Sequence, residues 1–193
     1  MESNITLRKI FGHLGTVLKH KRWVFYYAKL LGIPWRGFKH DMSKFSPVEF
    51  WESVRYWDGK SSPIPKCKAD RGYSLAWQHH KGRNPHHYEY WVDNLDNGGV
   101  AIKMPWEDLL ELIADYCGAG RAYLGDKFTM QGEYEWFKKK LQTDHPKMHK
   151  QTAEMVEYIL FMFAQNPDYL KLFKHSVFAQ TWKEKYESSL ENS

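Results

Sequence analysis

His40 and Asp41, within the segment FKHDMSKFSP, are the neighbouring residues with the clearest potential for metal chemistry. An imidazole and a carboxylate that follow one another near a helix end can bind one divalent cation from adjacent sides. The dipeptide alone is a weak indication, because an aspartate that caps a helix beside an ordinary histidine has the same sequence. Its interpretation therefore depends on polar residues elsewhere in the chain.

Two such polar residues lie in apolar surroundings. His20 follows His13 by seven residues in a helical pattern, so the two imidazoles lie on one side of the predicted helix. Asp115 interrupts a second helical pattern of apolar residues. Burial of an unpaired carboxylate is unfavourable, so Asp115 is expected to pair with a cation or to bind one. The apolar residues around it are Leu109, Leu110, Leu112, Ile113, Ala114 and Tyr116.

Four of the ten histidines lie close together in AWQHHKGRNPHHYEYW. They are His79, His80, His86 and His87. His79 and His86 are seven residues apart, as are His80 and His87, so two of them can converge if the segment is nearly continuous helix. The alternative is an aromatic-rich surface that carries scattered histidines. Metal binding is the favoured interpretation, and neutral imidazole suits zinc, iron, manganese or nickel better than magnesium.

The elements that must position these residues are predicted to be helices. Apolar spacing predicts a first helix over residues 6–31, and Ser46, Pro47 and Glu49 form a capping box that predicts a second over residues 47–57. Residues 58–71, which contain glycine and prolines, are predicted to be a surface loop. DNLDNGG predicts a turn or the tip of a short hairpin. Further helices are predicted over residues 73–81, 85–91, 105–117, 132–141 and 146–164 and after Asn166.

Composition predicts one all-α domain, a helical bundle spanning residues 1–193. The 193 residues are 42% hydrophobic and 17% aromatic, enough to form a sizeable core. No apolar run approaches the roughly 20 residues of a membrane helix, and the N-terminus lacks a cleavage site, so the expected location is cytoplasmic, in a bacterial cell or a phage-infected host. Two cysteines form no disulfide framework. A net charge of +5 is compatible with an anionic partner.

The order His20, His40-Asp41, Asp115 resembles the H…HD…D ligand order of the HD-domain phosphohydrolase superfamily. Members of that superfamily are all-helical, and they hold a divalent metal that activates water against phosphoester bonds. The resemblance implies that these four residues are metal ligands in an HD-type bundle. A closer resemblance is to a family of uncharacterised bacterial and phage proteins. It is carried by HDMSKFSPVEF, GYSLAWQHHKGRNPHHYEYW and MPWEDLLELIADYCGAGRAYLG.

In two-metal HD proteins, histidines between the HD pair and the last aspartate bind a second metal or contact the substrate. The resemblance therefore implies His80 as a further ligand and one or two divalent transition-metal ions per chain (Mn, Fe, Ni, Co or Zn). Imidazole titrates near neutral pH, so His79, His86 or His87 can protonate a leaving oxygen, with Asp41 as the remaining catalytic candidate. The candidate phosphate contacts are Lys44, Lys81 and Arg83.

The predicted function is metal-dependent hydrolysis of a nucleotide or a related small phosphoester. Aromatic residues beside the histidines suit a nucleobase, although such residues more often belong to a core. Two alternatives stay open. One is an HD-type di-iron oxygenase, and the other is a non-catalytic nucleic-acid-binding protein, which the positive charge suggests. The sequence is compatible with an oligomer, and it indicates no membrane partner.

Overall fold

The computed structural model describes residues 4–143 and 148–188, and within them the fold is all-α, as predicted. The helices are α1 (Leu7–Leu30), α2 (Pro34–Lys39), α3 (Pro47–Tyr56), α4 (Pro63–Arg71), α5 (Leu75–Lys81), α6 (Trp106–Leu124), α7 (Met130–Thr143), α8 (Lys150–Gln165), α9 (Asp168–Leu172) and α10 (Val177–Ser188). One short hairpin pairs β1 (Val92–Asp93) antiparallel with β2 (Val100–Ala101). None of the described helices is both long enough and apolar enough to cross a bilayer.

Side-chain caps begin two of the helices predicted from sequence, α1 and α3. Thr6 accepts a hydrogen bond from the backbone N–H of Lys9 at the start of α1. Ser46 caps α3 in the same way through the N–H of Glu49, with Pro47 in the first turn. These side chains satisfy N–H groups that have no partner inside the helix, which explains why the boundaries can be predicted locally.

The predicted loop over residues 58–71 was wrong, because α4 occupies its second half. Ser62 caps this helix and Pro63 occupies its first turn, where a missing N–H does no harm. The helix predicted over residues 85–91 was also wrong: the chain turns after Lys81, and a 3-10 turn follows over Tyr88–Trp91. The C-terminal helix is two helices, α9 and α10. The predicted helix start at Pro146 lies outside the described residues.

The contact between α1 and α6 sets the geometry of the interior. Gly118 makes this contact close: a Cβ atom on it would lie 2.5 Å from Val24 Cγ2 and 2.8 Å from the backbone nitrogen of Val24. His20 precedes Val24 by one turn on α1, and Asp115 precedes Gly118 by about one turn on α6, so each pair shares a helix face. The packing of the two helices therefore directs His20 and Asp115 into the same region.

Helices α8 and α10 also pack against α6 and contribute to the apolar core. Val156, Ile159, Leu160 and Phe163 of α8 are buried there. The Tyr186 hydroxyl of α10 donates a hydrogen bond to the Met104 carbonyl, just before α6 begins. Helix α6 is buried along most of its length, so its polar residues must find partners inside the protein.

Candidate metal centre

The HD pair lies in the turn that joins α2 to the following 3-10 turn (Met42–Phe45). His40 ends α2, and Asp41 takes the left-handed conformation with φ 55° and ψ 29°. This conformation is uncommon for a residue other than glycine, and aspartate is among the few that adopt it. Both side chains are buried, each residue being 1% exposed. Strained backbone of this kind concentrates at functional sites, because the surrounding structure must hold it in place.

His20, His40, Asp41 and Asp115 meet, as the resemblance implied, and we call them the first donor cluster. The Nε2 atom of His20 lies 3.3 Å from Asp41 Oδ2 and 3.1 Å from Asp115 Oδ1. The Nε2 atom of His40 lies 3.2 Å and 3.4 Å from the same two oxygens. One donor atom from each residue falls within 4.8 Å of all the others. Four nitrogen and oxygen donors so close together can surround one cation.

Asp41, His80, His86 and His87 form a second donor cluster, also within 4.8 Å. The Nε2 atoms of His80 and His86 lie 3.3 Å and 3.4 Å from Asp41 Oδ1. Asp41 thus presents one carboxylate oxygen to each cluster. The histidines converge because the chain reverses at Asn84, where the His87 N–H donates to the Asn84 carbonyl, and not because the helix continues.

Several donor atoms in these clusters are buried without a hydrogen-bond partner among the described residues. They are Asp41 Oδ1, His86 Nε2 and His87 Nε2, whereas Asp41 Oδ2 forms an ion pair with Lys44. Such atoms are rare in folded proteins, because each loses its hydration without compensation. A cation at each cluster would complete their bonding, so the donor set fits a metal ion. Among the described residues, neither cysteine joins a cluster, and the donors are imidazole and carboxylate only.

Two glutamates hold the histidines from behind. Glu111 Oε1 accepts hydrogen bonds from the Nδ1 atoms of His40 and His86, at 3.0 Å and 3.1 Å. Glu49 accepts from Nδ1 of His79 at 2.6 Å and of His80 at 2.7 Å. Because an ionised carboxylate only accepts, Nδ1 carries a proton in each of these rings, and a metal ion would bind at Nε2 in place of any proton there.

An arginine in turn binds Glu111. Arg36 Nε donates to Glu111 Oε2 at 2.8 Å, and the same guanidinium pairs with Asp108. Sequence reasoning missed Glu111 and Arg36, although one signal was present: Glu111 precedes Asp115 by one helical turn on α6. Glu49 was recognised only as part of a capping box.

Opposite charges in the site keep its side chains ionised despite their burial. Burial alone would raise the pKa of Asp41, but the charges of His40 and Lys44 hold that pKa well below its usual range. Burial also opposes ionisation of Asp115, yet hydrogen bonds from the two histidines of the first cluster bring its pKa well below normal. Burial would lower the pKa of His40, and the Asp41 charge with carboxylate hydrogen bonds raises it well above normal. Glu111 keeps a pKa of about 2, because hydrogen bonds from the histidines outweigh its burial.

A cavity of about 190 Å³ adjoins both clusters, and we call it the histidine-lined cavity. Lys44 lines it, with Nζ 2.5 Å from Asp41 Oδ2. Of the three described histidines predicted to protonate a leaving group, His87 lines the cavity, whereas His79 and His86 do not. Lys81 and Arg83 are not among the described residues that line it. The lining residues are His13, Thr16, Val17, His20, Lys44, Glu49, Ser53, Ser62, Pro63, Ile64, Ala76, Trp77, His80, His87, Asp115, Ala119 and Tyr123.

Comparison with known proteins identifies a family without identifying an activity. The model of a family of unknown function, DUF5662, matches residues 9–162, which include every member of both donor clusters. No curated protein and no solved structure matches the chain.

Proposed function

The chain belongs to the DUF5662 family, and we propose that it is a metal-dependent phosphohydrolase that acts on a nucleotide or a related small phosphoester. One observation carries the proposal: the Asp41 carboxylate is shared by two buried donor clusters that open onto a common cavity. A pair of closely spaced metal sites is a recurrent arrangement in phosphoester hydrolysis. The order of the ligands along the chain, which resembles that of HD-type phosphohydrolases, also supports this function.

The donor chemistry favours a divalent transition metal. Imidazole nitrogen and carboxylate oxygen, without thiolate, suit manganese, iron, cobalt, nickel or zinc. Magnesium prefers oxygen ligands and retains several waters, so clusters with two and three histidines suit it poorly. Two clusters that share one carboxylate favour two ions per chain.

In this mechanism the residues of the chain bind and orient the ester. Divalent ions, when bound, supply Lewis acidity that polarises a phosphoryl oxygen and makes water a stronger acid. The charged ammonium of Lys44 lines the cavity and can bind a phosphoryl oxygen, and the carboxylates around it keep its pKa raised against the opposing effect of burial. Glu111 and Glu49 hold the imidazole rings in one orientation. The apolar walls of the cavity limit access of bulk water to the ester.

A di-iron oxygenase of the HD type is the second candidate. The shared carboxylate and the five histidines of the two clusters also suit a pair of iron ions. Elemental analysis separates the two proposals. Two irons in a coloured protein favour the oxygenase, and activation of phosphate release by manganese, nickel or cobalt favours the hydrolase.

The test compares the wild type with Asp41→Asn, which removes the shared carboxylate with little change in volume. We expect the wild type to bind metal and to release phosphate from a phosphoester panel with added manganese, and the variant to lose both. Asp126→Asn is the matched control, because Asp126 is exposed and lies outside both clusters. Wild-type metal content and phosphate release in Asp41→Asn would refute the proposal.

A further inference from the structure

The size of the histidine-lined cavity limits the ligands that it can enclose. Its volume is about 190 Å³. An engineered protein cavity of roughly 150 Å³ holds benzene, and pockets for drug-sized ligands begin at about 300 Å³. The cavity is therefore large enough for an organic group of about one six-membered ring. A base and a sugar together would extend beyond it.

The charge of the lining limits the number of phosphates. Among the described residues that line the cavity, Lys44 is the one lysine or arginine, and it is already paired with Asp41. The other charged residues that line the cavity, Glu49 and Asp115, are acidic and pair with histidines of the donor clusters. Proteins bind extended phosphate chains with several basic groups or backbone N–H groups. A second or third phosphate would lie beside apolar and acidic walls, so one phosphoryl group beside the donor clusters suits the cavity best.

His13 forms a neutral part of the cavity wall. It is 5% exposed, its ring packs 5.3 Å from that of Phe50, and Nδ1 has almost no accessible surface and no hydrogen-bond partner among the described residues. Burial and then the charge of Lys44 lower its pKa to about 4, so the ring is neutral at pH 7. Thr16 beside it is engaged, since its hydroxyl donates to the Gly12 carbonyl and accepts from Trp57 Nε1. This side of the cavity therefore offers no positive charge to a phosphate chain.

We infer that the histidine-lined cavity binds a compact phosphomonoester, whose organic part is about one ring in size, in preference to a nucleoside di- or triphosphate. This inference rests on the proposed phosphohydrolase function and deepens it. The remaining walls, formed by Val17, Ile64, Trp77 and Ala119, contact the apolar faces of the ring.

The test uses the manganese-loaded protein and three esters: phenyl phosphate, AMP and ATP. We expect kcat/KM for phenyl phosphate to exceed that for ATP by about 100-fold. Equal or faster hydrolysis of ATP would overturn the inference and leave the phosphohydrolase function standing.

Two changes in cavity volume test the same inference in opposite directions. Ala119 lies one turn after Asp115 on α6, so Ala119→Phe places a ring in the cavity, and the KM for the compact esters should rise by about tenfold or more. Ile64→Ala enlarges the cavity and should raise kcat/KM for AMP relative to kcat/KM for phenyl phosphate. Ala69→Phe, at an exposed position of α4, is the control. No effect of either cavity variant, with metal content intact, would contradict the inference.

Binding of phenylphosphonate, which cannot be hydrolysed as an ester, gives a readout independent of turnover. Calorimetric binding that depends on Ala119, without phosphate release from any ester, would support the ligand class and refute the phosphohydrolase function. Absence of both binding and turnover in the metal-loaded protein would refute both.

Discussion

Glu111 is predicted to control both metal sites at once, although it belongs to neither donor cluster. Its Oε1 atom accepts from Nδ1 of His40 in the first cluster and of His86 in the second, and its Oε2 atom accepts from Arg36. Glu111→Gln keeps the shape of the side chain and replaces one acceptor oxygen with an NH2 donor. In either orientation of the amide, at least one buried N–H then faces another donor.

The size of the effect follows from these three hydrogen bonds. Leaving one buried donor unsatisfied costs about 1–3 kcal/mol. If the amide nitrogen faces the histidines, both rings must move the proton to Nε2, where the metal would bind. Loss of a partner behind a metal ligand typically weakens metal affinity by about 10–100-fold, which equals about 1.4–2.7 kcal/mol of binding free energy. We therefore expect Glu111→Gln to weaken the affinity for both ions by about this factor.

Titration of metal-free protein with zinc or manganese, followed by calorimetry or by competition with a chromogenic chelator, measures both affinities. Glu49→Gln provides the comparison, because among the cluster ligands Glu49 contacts His80, in the second cluster. Glu49→Gln should weaken the affinity for the ion at the second cluster and leave the affinity at the first cluster unchanged. Glu107→Gln controls for a charge change on α6, since Glu107 pairs with Lys183 at the surface. A folded Glu111→Gln protein with both affinities unchanged would refute the argument that the glutamate holds the ligands.

Two further predictions concern stability. Gly118→Ala forces α1 away from α6 at Val24, so thermal or denaturant unfolding should show that the free energy of unfolding falls by about 1–3 kcal/mol. Gly15 has open space around it, so Gly15→Ala should raise that free energy by roughly 0.5–1 kcal/mol. Equal effects of the two substitutions would argue against close packing at Gly118. Burial, reinforced by the charge of Asp115, raises the pKa of Glu133 to about 8. The stabilisation that neutral Glu133 provides is therefore complete below the ordinary pKa of a glutamate, and it is lost as the pH rises towards 8. Glu133→Gln should reduce that pH dependence by up to about 1.4 kcal/mol per pH unit in metal-free protein, and identical urea-unfolding profiles of the two proteins between pH 5 and 8 would contradict it.

Much of the helical framework could be predicted because its signals are local. The caps at Thr6 and Ser46 involve groups three residues apart, so they act in any context that allows a helix. The same local reasoning failed where a signal has two meanings. Pro63 can break a helix or occupy its first turn, and here it begins α4. The sequence also predicts a helix from residue 85, but the chain turns there and directs His86 and His87 back towards Asp41.

For the candidate site, the sequence by itself determined the donor types, because a buried carboxylate or imidazole needs a partner, and the resemblance in residue order implied the set His20, His40, Asp41 and Asp115. Tertiary structure decided the rest. The shared role of Asp41, the support from Glu111 71 residues away from His40, and the buried, unpartnered nitrogen of His13 depend on how α1, α3, α5 and α6 pack. A hydrogen bond requires two atoms within about 3 Å, and sequence spacing cannot specify that distance between helices.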